Sequence, residues 1–146
     1  MNKASDMEAL ETPGHQRELA AGDSVLLRKE ESEPLVMSGH ITDPEGKRIA
    51  GGALIEVWQT APNQLYDAHD AEQPRGHLRA SFRSDAAGVY RFRTIVRVSY
   101  PIPDDGPAGQ LLKAMERHPF RPAHVHFMIS ASGFRTLVTH QFFEGE

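Results

Sequence analysis

Two histidines separated by a single residue, His124-Val125-His126, carry the strongest chemical signal in the sequence. In a β-strand, residues two apart share a face, so both imidazoles project to one side while Val125, Phe127 and Ile129 project to the other, into a core. That geometry lets one metal ion accept both rings. It equally describes two histidines on a solvent face, and the spacing leaves both readings open. The three tyrosines divide by context. Tyr90 alternates with Phe92 in a strand-like run and reads as packing. Tyr66 lies in a long irregular stretch, and Tyr100 stands where a strand breaks into Pro101-Ile102-Pro103. A phenol has a free pKa of about 10, so it ligates only where a strongly Lewis-acidic cation removes its proton. Two tyrosines with two histidines would suit Fe(III). The chain has no cysteine, which removes disulfides, zinc-thiolate sites, iron–sulfur clusters and thiol catalysis together, so any metal must use other donors.

The elements that must hold these residues read as strands. LVMSGHI, the turn-rich DPEGKRIAGG and ALIEVW form strand, loop and strand from Leu35 onward. LRASFRS and VYRFRTIV alternate on either side of DAAG, a hairpin-type signal that predicts two paired strands. HVHFMIS and FRTLVTHQFF close the chain around ASG, and SVLLR, Ser24 to Arg28, predicts a short edge strand. Short strands with turns at near-regular spacing predict an antiparallel β-sandwich or barrel, of which the mainly antiparallel sandwich is the expected fold. One short helix is expected over Gln110 to Arg117, where Leu111, Leu112 and Met115 share a face. The stretch from Gln59 to His77 is a candidate wall of the site, with Trp58 before it as core or pocket wall. Residues 1–34 read as a polar N-terminal arm adding little core, and residues 35–146 as the β-sandwich domain. At 146 residues, 39% hydrophobic and 25% charged, the chain has room for one globular domain. A net charge of −4 gives no electrostatic reason to approach nucleic acid or an anionic membrane. No apolar run reaches the roughly 18 residues of a spanning helix and no secretory signal is visible, so the cytoplasm is the expected location.

The run YRFRTIVRVSYPIPDDGPAGQLLKAMERHPFRPAHVHFMISASGFRTLVTH resembles the catalytic segment of the intradiol ring-cleaving dioxygenases, which include the catechol, chlorocatechol and hydroxyquinol enzymes. SYPIPDDGP and RHPFRPAHVHF are its specific parts. GALIEVWQT followed by Tyr66, and GHLRASFRSDAAGVY, extend the likeness back to about Leu35. The resemblance implies a catalytic β-sandwich in which Tyr66, Tyr100, His124 and His126 hold one Fe(III) per chain, with Arg121 steadying the substrate. It further implies a small aromatic diol and O2 as reactants and a muconate-type diacid as product. Tyr100 would leave the metal and serve as general base while Tyr66 stays. SYPIPDDGP together with LVTH tilts the substrate toward hydroxyquinol or a chlorinated catechol. Two positions depart from the catechol-type pattern: Gln64 where glycine is usual before the first tyrosine, and His140 where glutamine is usual. Arg117 and His118, just before Pro119, are read as supporting the turn into the histidine strand. Family members usually carry an N-terminal helical segment that forms the dimer and a tail beyond the last strand; neither is expected here, which leaves a homodimer open. Two other classes stay open. A cupin-like enzyme would use His-x-His with a divalent ion, a third histidine or carboxylate, and no tyrosine. A non-catalytic β-sandwich module would use none of these residues.

Overall fold

Alternation between large apolar and charged side chains dictates the shorter layer. In the computed structural model, which describes residues 17–50, 52–96, 100–101, 107, 110, 114, 120–121 and 123–143, β2 (Pro34–His40) and β5 (Val89–Ile95) pair antiparallel from Pro34 opposite Ile95 to His40 opposite Val89. Tyr90, Phe92 and Met37 turn inward, while Arg91, Arg93, Val36 and Ser38 face out. Gly39 sits opposite Tyr90 because a Cβ there would lie 2.7 Å from the phenol oxygen and 2.8 Å from a ring carbon.

The second layer is a five-stranded sheet in the order β1, β4, β3, β8, β9, comprising Arg17–Glu18, Arg79–Arg83, Leu54–Trp58, His124–Ser130 and Leu137–Phe142. Every pairing in it is antiparallel except β1 with β4. Ile55, Val57, Phe82, Val125 and Phe127 from this sheet share one core with Met37, Tyr90 and Phe92 from the other. Phe82 and Phe92 meet at 5.0 Å between ring centroids, and Tyr90 meets Phe127 at 5.8 Å. The facing sides of the two sheets are thus buried against each other, as in a β-sandwich. Two further short strands, β6 (Tyr100–Pro101) and β7 (Phe120–Arg121), form a ladder of their own.

Three expectations are revised. LRASFRS and VYRFRTIV become β4 and β5, but they do not pair with each other. The turn between them carries the chain from one sheet to the other, so β4 bonds to β3 and β1 while β5 bonds to β2. Alternation specifies a strand and its buried face; it does not specify the neighbour. Ser24 to Arg28 makes an isolated bridge, Ser24 with Arg93, in place of a strand. The same segment adds more to the core than its polar composition predicts, since Val25 is fully buried and Leu26 packs against the core. Of the expected helix, Gln110 and Ala114 are helical; its other positions, like Asp104, Asp105 and His118, lie outside the described residues.

Candidate metal centre

One rung of the five-stranded sheet carries the site. Arg79, Trp58, His126 and His140 are successive Cα partners across β4, β3, β8 and β9, and partners in register project to the same face. Over the first four residues of β8 both faces are closed. Val125 and Phe127 enter the core as expected, yet His124 and His126 are also buried, at 0% and 1% exposure, which rules out the solvent-face reading. Trp58 stacks on His126 with centroids 4.9 Å apart and planes 7° from parallel. That contact fixes the imidazole's plane.

Tyr66 reaches this rung from the loop. Its hydroxyl hydrogen-bonds His126 Nε2 at 2.7 Å across 60 residues of sequence. Tyr66 is extended and immediately precedes a 3-10 turn, Asp67–His69, and Asp67 anchors that turn. The Asp67 carboxylate accepts from the Gly76 amide at 2.8 Å and from Arg79 Nε and Nη2 at 3.1 Å each. Both side chains are buried, so the ion pair ties the residue after Tyr66 to the rung that carries His126. Upstream, Gln64 adopts φ 72°, a left-handed backbone that glycine enters far more easily than glutamine. The glycine usual at this position therefore suits the same turn. Asn63 and Gln73 both donate to the Asp70 carboxylate, at 2.7 and 3.0 Å, which together with the Glu72 amide holds its pKa below the ordinary range, Asn63 contributing most.

His140 is the residue that sequence reasoning passed over as a site member. It sits opposite His126, and one ligand nitrogen from each of His124, His126 and His140 lies within 4.8 Å of the others. His140 Nε2 is buried and has no hydrogen-bond partner among the described residues. Tyr66, His124, His126 and His140 thus offer imidazole nitrogens and a phenol oxygen in one partly buried place, a donor set suited to a first-row transition metal. The remaining two expected residues, Tyr100 and Arg121, are Cα partners in the β6–β7 ladder.

Comparison with known proteins bears on the family of the chain. A family model described as "Dioxygenase" matches residues 11–146. The chain belongs to this dioxygenase family. A 6-chlorohydroxyquinol 1,2-dioxygenase of Cupriavidus pinatubonensis is 46% identical over 114 residues, 78% of this chain and 41% of that protein. A hydroxyquinol 1,2-dioxygenase of a Rhizobium species is 50% identical over 111 residues, 75% of this chain and 37% of that protein. Among solved structures, a hydroxyquinol 1,2-dioxygenase of Pseudomonas putida superimposes with a TM-score of 0.78 at 44% identity, covering 89% of this chain and 44% of that one. The chain therefore spans about two fifths of the length of these relatives. Among its described residues no helix is long and apolar enough to cross a membrane.

Proposed function

We propose that this dioxygenase chain forms the catalytic part of a non-haem Fe(III) intradiol enzyme. Its reaction breaks the carbon–carbon bond between the two hydroxylated carbons of hydroxyquinol or a substituted catechol, and both atoms of O2 enter the resulting muconate-type diacid. The observation that carries the reading is the Tyr66 hydroxyl 2.7 Å from Nε2 of the buried His126. Relatives named for hydroxyquinol and chlorohydroxyquinol support the substrate class.

Tyr66, Tyr100, His124 and His126 are the residues proposed to hold one iron per chain. When bound there, ferric iron would supply Lewis acidity toward the diol. Tyr66 supplies a permanent negative charge, held in place by the Asp67–Arg79 pair. Trp58 keeps the His126 ring in one plane. Tyr100 accepts a proton from a substrate hydroxyl as general base, and Arg121 opposes negative charge on the ring with a cation that never deprotonates. Burial of the histidines keeps water from competing for the donors.

Iron analysis and visible absorption after loading with ferric iron test the proposal. A broad phenolate band at one iron per chain is expected, and a protein that stays colourless overturns it. Replacing Tyr66 by Phe should weaken iron retention and shift the colour. Tyr100→Phe should keep iron but slow cleavage by about 10²–10⁴-fold, the defect shrinking at high pH where the diol ionises unaided. Unchanged cleavage by Tyr100→Phe across pH removes Tyr100 from the mechanism.

A further inference from the structure

Three imidazoles meet on the sheet, and the ferric reading uses only two. His140 stands opposite His126 in the β8–β9 ladder. Its ring centroid lies 4.5 Å from that of His126 and 5.2 Å from that of His124. The three ligand nitrogens fall within 4.8 Å of one another, and His140 Nε2 is buried with no hydrogen-bond partner among the described residues. A buried ring nitrogen with nothing to bond is a donor waiting for a cation or a proton.

We propose that His124, His126 and His140 form a three-imidazole site for a divalent first-row ion, filled without either tyrosine. Charge separates the two ways of using this centre. A ferric ion is strongly acidic and draws on phenolate, whereas neutral imidazole suits divalent zinc, copper, nickel and cobalt. Three imidazoles and a water complete the four-coordinate shell that zinc prefers. Two strands suffice to present the set, because the β8–β9 register alone places His140 against His126 and keeps His124 next along the same face. A divalent ion seated here would occupy His124 and His126 and so exclude iron. His140 thereby makes the centre open to competition by divalent metals. A chain with glutamine at position 140 would resist it. The inference shares two residues with the ferric reading but does not depend on it.

The test uses the purified full chain, stripped of metal by chelation and titrated with Co(II), whose d–d absorption reports coordination, with Zn(II) as competitor. One equivalent of Co(II) should bind, displaced by Zn(II). X-ray absorption of the Co(II) protein should count three imidazoles. His140→Gln should weaken Co(II) binding by about 10- to 100-fold or more, at least what loss of a supporting partner does at a metal site. Tyr66→Phe should bind Co(II) no more weakly than the parent. Two imidazoles by X-ray absorption, or Co(II) binding by His140→Gln as tight as the parent's, would overturn the proposal; the first measurement needs no variant and stands even if the variant fails to fold. Failure of the ferric phenolate band, by contrast, bears on the ring-cleavage reading and leaves the Co(II) result intact.

Discussion

Replacing Arg79 by methionine should be among the most damaging single changes in the fold. Methionine keeps much of the buried stem but leaves the Asp67 carboxylate, 2% exposed, with the Gly76 amide as its remaining donor among the described residues. Removing one partner of a buried ion pair costs about 3–5 kcal/mol, because an uncompensated charge stays in the interior. That is a large share of a typical 5–15 kcal/mol total. At about 2–4 °C per kcal/mol for a domain near this size, the melting temperature should fall by roughly 6–20 °C. Arg79 Nη1 has no partner among the described residues, so the native pair is imperfectly satisfied and uncharged replacements can recover much of the loss. In the Asp67→Asn, Arg79→Met double variant an amide oxygen still accepts from Gly76, and roughly half the stability should return. The assay is a double-mutant cycle by urea and thermal unfolding, with iron retention measured alongside because Tyr66 adjoins Asp67. A loss below about 1 kcal/mol for Arg79→Met, or strictly additive variants, would refute the argument that this pair anchors the tyrosine loop.

Stability should fall with acid through His77, which accepts from the Leu27 amide at Nδ1 (3.0 Å) and contacts Glu30 at Nε2 (2.7 Å). Burial holds its pKa below the ordinary 6.5, although Glu30 opposes the shift. The unfolded chain then binds that proton first, so stability declines as pH drops below about 6.5, and His77→Gln should flatten the slope measured by unfolding at stepped pH. Gly39→Ala should cost about 1–3 kcal/mol by overpacking against Tyr90, read from the denaturation midpoint; an unchanged midpoint would mean the ring moves freely. Leu137, Val138 and Phe142 on the edge strand β9 are more than half exposed, and edge strands template association. Val138→Lys should therefore lower any self-association seen by sedimentation at high concentration.

How far the sequence could be read depended on whether the information was local. Alternation in VYRFRTI and HVHFMIS named the buried faces correctly, because each strand carries its own pattern. The β8–β9 hairpin was equally local, and it held more than was taken from it. A turn centred on Gly133 pairs positions equidistant from it, seven residues back to His126 and seven forward to His140, as observed. Sheet membership was not local: nothing in DAAG says that β4 and β5 part company. Likewise no spacing links Asp67 to Arg79, or Glu30 to His77, since those contacts exist only once the chain folds back onto the sheet. The burial of His124 followed the same rule. Its ring meets His126, His140 and Phe142, on a face that alternation alone would leave to solvent.

The stacking of Trp58 on His126 has a practical side. Trp58 is the chain's sole tryptophan, it is buried, and its indole lies parallel to a ring proposed to bind metal, at 4.9 Å. All of the indole fluorescence therefore originates at the site. A paramagnetic or coloured ion held by His126 lies within close quenching range, while diamagnetic Zn(II) should leave the emission far brighter. Metal occupancy, its rate of exchange and the identity of the ion can thus be followed in the unlabelled protein by light alone.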